Sequence, residues 1–239
     1  MGLIATRTSQ FHAMKRKREN NSEYYAVITA DVVSSSSMAN NYHRWINALS
    51  SYTEYLQKTF DNDLLLNIKI YRGDAFQTIT KDITNALKFV ILFRLVFLKK
   101  FLPLTTPKKT DLRIALGIGH ALFDNDIFKG NGEAFYNSGL ELDSMKSKPY
   151  RLRIRTPWDD INRELNVQCA LFDALSYKWT MKQIDTMIEH WSGLNQKEAA
   201  KKLDITQSAV SLRLKAAGAW AIDDFINNYE QLISANIKK

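Results

Sequence analysis

Apolar positions follow two regimes along the chain, and the change falls near Pro157. Before it, short apolar runs alternate with helical spacings. Residues 24–31 (YYAVITAD) form a compact apolar run ending in an acid, the pattern of a buried strand. Ser34 to Ser37 mark a loop or a helix start. Residues 41–60 repeat Trp45, Leu49, Tyr52 and Leu56 at helical spacing. Two strand-like runs, 64–71 and 75–80, flank Arg72-Gly73-Asp74, a tight-turn signal. The pattern then predicts an apolar helix over 82–100, a proline-bearing loop over 102–110 and a strand over 111–123. A glycine loop and a helix follow within 130–143. Residues 150–156 (YRLRIRT) alternate as an edge strand with basic residues on one face.

That order predicts an α+β fold, one sheet covered by helices. After Pro157 the spacing is helical to the end, with 159–178 as a connecting helix. Three segments result: a basic, disordered tail over 1–22, an α+β domain over 23–157 and an all-α domain over 158–239.

Within the last segment, three short helices are predicted. Residues 181–191 place Ile184, Met187, Ile188 and Trp191 on one face. Asn195, with Glu198 three residues on, is a capping box for a second helix ending near Leu203. Thr206 caps a third, and Gly218 suits its C-terminal cap. Ala199 and Ala200 allow two helices to cross closely, while Ile205, Val210 and Leu214 anchor the third. Thr206, Gln207, Ser208, Ser211, Arg213 and Lys215 are then left to face out, as base-edge and phosphate contacts require. This pattern predicts a DNA-reading helix-turn-helix; the other reading of it is a helical hairpin for protein contacts.

Charge qualifies this picture. The 239 residues carry a formal +8. Lys plus Arg minus Asp plus Glu gives 5 − 1 = +4 for 1–22, 18 − 13 = +5 for 23–157 and 10 − 11 = −1 for 158–239. Residues 195–217 hold five basic and two acidic groups, so only the local charge favours a polyanion. Cys169 is the single cysteine, which excludes an intrachain disulfide and fits a cytoplasmic protein. It lies in an apolar helical pattern and reads as core. The apolar stretch 86–98 is short against the roughly 20 residues of a membrane span and is interrupted by Lys88 and Arg94, so no membrane is expected. His12, His43, His120 and His190 have no metal-ligand spacing.

Asp31 ends the first strand and Asp74 sits in the turn between the next two. If those strands are neighbours, the two carboxylates share a sheet edge, where such a pair holds Mg²⁺ against a triphosphate. YRGDAFQTI resembles the hairpin of class III nucleotide cyclases and, more distantly, of GGDEF-type domains. LRIALGIGHALF and GNGEAFYNSGLELDSM are similar to the cyclase strand and Asn-bearing helix that follow. The whole order resembles the SatD family, small bacterial proteins with a cyclase-like front half and a C-terminal helix-turn-helix.

This resemblance implies a ferredoxin-like, nucleotidyl-cyclase-like sheet and a homodimer. It makes Asp31 and Asp74 the metal-binding and catalytic candidates, with Mg²⁺ and a nucleotide as the possible ligands. Arg72, Gly73 and Asn137 become nucleotide-binding candidates. Glu141 stands where cyclases carry an Arg, and a carboxylate repels the charge that a cation there stabilises. Arg72 or Arg113 are the residues placed to substitute. The expectation is a regulator of double-stranded DNA whose front domain senses a nucleotide or dimerises. The alternative is a metal-dependent nucleotidyl cyclase or oligonucleotide synthase using Asp31 and Asp74. A third reading is an interaction module in which both halves bind protein.

Overall fold

A five-stranded mixed sheet forms the front of the molecule. The computed structural model describes residues 23–33, 42–60, 64–71, 74–101, 110–124 and 127–238. The basic tail, Ser34 to Ser37, residues 102–109, Arg72 and Gly73 lie outside these, as do the side chains of residues 42–46. The strands are β1 (Tyr24–Val32), β2 (Leu64–Tyr71), β3 (Ala75–Thr80), β4 (Leu112–His120) and β5 (Leu152–Arg155), in the order β2-β3-β1-β4-β5. Neighbours are antiparallel except β4 and β5. β1 is central and covered on both faces, which explains its unbroken apolar run.

Even-numbered residues of β1 (Ala26, Ile28, Ala30 and Val32) join the main core with Leu49, Tyr52 and Leu56 of α1 (Tyr42–Phe60) and most of α2 (Ala86–Phe101). The other face is covered by α3 (Glu133–Met145). Val27 and Ile79 pack there with Ala134, and Ala115 with Leu142 and Met145. The helix expected over 82–100 begins at Ala86 instead. Asp82 accepts hydrogen bonds from Thr84 N (2.8 Å) and Asn85 Nδ2 (2.7 Å), and that local turn competes with the first helical turn. β4 stops at His120; beyond it, Leu122 pairs only as an isolated bridge with Asn131.

Five helices follow Pro157: α4 (Asp159–Ser176), α5 (Met181–Trp191), α6 (Gln196–Lys202), α7 (Gln207–Ala217) and α8 (Ala219–Asn236). The expected boundary falls between β5 and α4, yet the apolar core runs through it without a break. Leu165, Phe172, Met187, Val210 and Tyr229 belong to the same cluster as the sheet. This placement explains α2. It is apolar on every side because the sheet lies on one face and the C-terminal helices on another.

The chain from 159 to 176 does more than connect. β5 is an edge strand, and α4 saturates its open backbone with side chains. Asn166 accepts from Ile154 N (3.0 Å) and donates to Ile154 O (2.7 Å). Asn162 does the same for Thr156 N (2.7 Å) and O (2.9 Å). Asp173 accepts from Arg151 N (2.7 Å) and Leu152 N (3.2 Å). Residues 162, 166 and 173 recur on one helical face, so a single helix replaces a missing neighbouring strand. Asn166→Ala strips both backbone groups of Ile154 of their partners in a buried site. It is expected to cost about 1–3 kcal/mol in urea unfolding, and a loss below about 0.5 kcal/mol would show that water replaces the amide.

Among the described residues, no helix is long and apolar enough to cross a membrane.

Candidate functional site

Two places bring the sequence-predicted residues together: a carboxylate cavity on the α3 side of the sheet, and the outer face of α7. The cavity is built by register. Asp31 lies opposite Ala75 on β3 and Arg113 on β4, and Val32 N donates to Asp74 O at 3.1 Å. Odd-numbered positions of β1 face α3, so Thr29 and Asp31 point to the same side. Thr29 Oγ1 donates to Ser138 Oγ at 3.0 Å. A cavity of about 620 Å³ results, lined by Asp31, Asp74, Thr29, Gln77, Asp143, Lys146 and Gly139. The two carboxylates do share one site, as their positions predicted.

Asp31, however, already holds a cation. Arg113 Nε donates to its Oδ1 at 2.8 Å and Nη2 to its Oδ2 at 3.0 Å, the paired geometry that suits a guanidinium and a carboxylate. The third arm, Nη1, reaches Lys146 O at 3.3 Å. Lys146 in turn pairs with Asp143 at 2.6 Å. A divalent ion at Asp31 has to share this carboxylate with the guanidinium or displace it, and in either case sits beside its positive charge. Among the described residues, no group of three or more His, Cys, Asp or Glu is arranged to hold a metal. As placed, the Arg113 guanidinium supplies the positive charge beside Asp31.

Asn137 is 6% exposed, and its Nδ2 donates to Ile118 O at 2.8 Å, so that arm is committed to β4. Arg72 and Gly73 lie outside the described residues. Glu141, expected to repel, is instead held between two arginines. Arg153 Nε is 3.5 Å and Arg155 Nη1 3.3 Å from its carboxylate. Cys169 is buried, and burial pushes its thiol above the ordinary range, in keeping with a core residue. His190 Nε2 lies 3.0 Å from Asp223, which also accepts from Trp191 Nε1 at 2.8 Å. That cluster joins α5 to α8 across more than 30 residues, beyond the reach of a spacing rule.

The C-terminal helices form from local chemistry. Thr180 with Gln183 and Asn195 with Glu198 make capping boxes at α5 and α6. Asp204 takes a left-handed conformation (φ 53°) in the turn before α7, and Thr206 Oγ1 accepts from Ala209 N at 3.2 Å. Gly218, also left-handed (φ 72°), ends the helix. Val210, Leu214 and Ala217 are buried, and Trp179 Nε1 pins Ala217 O at 3.0 Å. Ala199 and Ala200 are buried where α6 meets its neighbours. Thr206, Gln207, Ser208, Ser211 and Lys215 are exposed together, whereas Arg213 is half-buried at the flank. Leu212, 67% exposed, stands on this same outer face and was missed. Its signal was an apolar residue out of phase with Val210 and Leu214.

The fold is α+β, a five-stranded mixed sheet with helices. Solved structures that resemble it include a bacterial light-regulated adenylyl cyclase, with TM-score 0.42 and 15% identity over 64% of this chain and 54% of that one. The guanylyl cyclase Cya2 gives TM-score 0.38 and 12% identity over 55% of this chain and 74% of the cyclase. The chain thus spans about half the length of the light-regulated enzyme. Curated proteins show no sequence match. The family model described as the SatD family matches residues 24–222, and the chain belongs to that family.

Proposed function

We propose that this chain is a cytoplasmic transcriptional regulator that reads double-stranded DNA through a helix-turn-helix made of α6 and α7. In this reading the front domain serves nucleotide sensing or dimerisation, and the protein acts as a homodimer. The observation that carries the reading is the split character of α7. One face is buried on α5 through Val210 and Leu214, and the other exposes Gln207, Ser208, Ser211, Leu212 and Lys215. Short polar side chains at a capped helix start reach base edges, an exposed Leu meets a thymine methyl, and Lys reaches phosphate. The local excess of three positive charges (five basic minus two acidic over 195–217) is small. Two copies on two half-sites double it, which supports the dimer.

Mobility shift against the DNA upstream of its own coding region tests the reading. At about 1–3 kcal/mol for each good base contact, Gln207→Ala with Arg213→Ala is expected to weaken binding at least about tenfold. Unchanged binding in the double variant removes α7 as the reader.

The sharing of one cavity by Asp31 and Asp74 favours a second reading, a metal-dependent nucleotidyl cyclase or oligonucleotide synthase. Arg113 across Asp31 and Glu141 at the cation position weigh against it. Incubation with each nucleoside triphosphate and Mg²⁺ or Mn²⁺ tests it. Product that disappears in Asp74→Asn supports catalysis, and no product removes it.

A further inference from the structure

A second cavity, of about 780 Å³, lies between α3, β5 and α4, next to the edge strand. Its wall carries three arginines. Arg153 and Arg155 stand two apart on β5 and so share one face of the sheet. Arg163 comes from the second turn of α4. The first two converge on one carboxylate, Glu141, whose side chain is 11% exposed. Their contacts of 3.5 and 3.3 Å are loose beside the roughly 2.7–2.9 Å of a tight charge-assisted bond. Two guanidiniums are therefore under-matched by one anion, and each uses a single N–H on it. Arg155 remains 42% exposed and Arg163 77%, the latter paired with its exposed neighbour Asp160. The outer wall is apolar: Val167 and Leu171 are 63% and 61% exposed one helical turn apart.

We propose that this cavity binds a phosphate-bearing organic ligand of nucleotide size. Its phosphates replace Glu141 between Arg153 and Arg155, Arg163 closes over them, and the apolar body rests on Val167 and Leu171. Glu141 is the counter-ion that keeps the arginines in place when the site is empty. It is also the ligand's competitor, as is Asp159 at the rim. The three arginines face Glu141, Asp159 and the Asp160 that pairs with Arg163, so the site carries no net excess of charge and binding requires several phosphate oxygens arranged for forked donors. The site lies apart from the Asp31 and Asp74 cavity and needs no divalent cation. It stands whether or not α7 reads DNA.

Isothermal titration of the full chain in EDTA, with ATP and with pyrophosphate as probes, tests it. ATP is expected to bind wild type at micromolar to millimolar concentration. Arg155→Gln, an exposed change that spares the core, is expected to weaken binding about tenfold or more. Glu141→Gln, which removes the competitor, is expected to tighten it several-fold, and a merely structural glutamate gives no such gain. Asp74→Asn leaves binding unchanged. Three outcomes overturn the proposal: neither probe binds at millimolar concentration, Glu141→Gln fails to tighten, or binding follows Asp74 and ignores Arg155. Loss of DNA binding in Arg155→Gln without any ATP binding would assign the arginines to nucleic acid and overturn it as well.

Discussion

Arg94→Met is expected to lower the unfolding free energy by about 3–5 kcal/mol, the typical cost of breaking a buried ion pair from one side. Arg94 is 2% exposed in the middle of the most apolar helix of the chain. Its guanidinium donates to Asp111 from Nε (3.0 Å) and Nη2 (2.8 Å), and to Asp173 from Nη1 (2.7 Å). Asp173 is the same carboxylate that caps the backbone of Arg151 and Leu152. One residue of α2 thereby ties the start of β4, the start of β5 and helix α4. Methionine fills the volume but leaves Asp173 without its cation and Asp111 with only the more distant Arg151, at 3.8 Å, among the described residues.

The pH dependence has a definite sign. Burial pushes the Asp173 carboxyl above the usual range, against the pull of Arg94 and of the two backbone N–H groups. A raised folded value means that its favourable contribution is present below the unfolded value, about 3.9, and is lost as pH rises through the folded one. Removing Arg94 raises it further. The penalty of Arg94→Met is therefore expected to be smaller near pH 4 than at pH 7. Urea midpoints at the two pH values measure this. A penalty that is constant with pH, or below about 1 kcal/mol, would show that the carboxylates regain water instead.

The second large effect is expected at Gly117. A Cβ there falls inside contact distance of backbone atoms of α3, Ala134 O and Ser138 N, and close to Ser138 Cβ. Backbone on both sides has no rotamer with which to yield, so α3 has to lift from β4. Lifting it loosens the Thr29–Ser138 and Asn137–Ile118 hydrogen bonds that seat it. Gly117→Ala is expected to cost about 3 kcal/mol, the upper part of the usual range for overpacking. Gly139 provides the matched control on the same helix. A Cβ there meets nothing within 4 Å, so Gly139→Ala is expected to gain about 0.5–1 kcal/mol through helix propensity. Denaturant midpoints of the two variants should move in opposite directions. A shared direction would mean that α3 is not seated against β4 as described.

Much of this architecture is legible locally. The β1 run, the alternation of β5 and the spacing of α5 follow from which faces a strand or helix buries. The boxes at Asn195–Glu198 and the caps at Thr206 and Gly218 are satisfied within a few residues of themselves. The common cavity of Asp31 and Asp74 was also foreseeable, because a hairpin beside a neighbouring strand brings a turn to a strand end. Helix starts were less legible: Asp82 delays α2 by a side-chain turn that a count of apolar residues does not register.

What residue types and spacing determined by themselves is the order and kind of the elements, and the candidate faces they present. Only the tertiary structure decided what each charge does. Asp31 meets Arg113 from 82 residues away, and Arg94 meets Asp173 from 79. Glu141 is turned from a repulsive group into a bridge by two arginines of another strand. Helix α4, read as a connector, became the cover of the sheet edge. The reason is physical. Apolar periodicity is set by backbone geometry and is written locally. The fate of a buried charge depends on whichever partner the folded chain brings within about 3 Å.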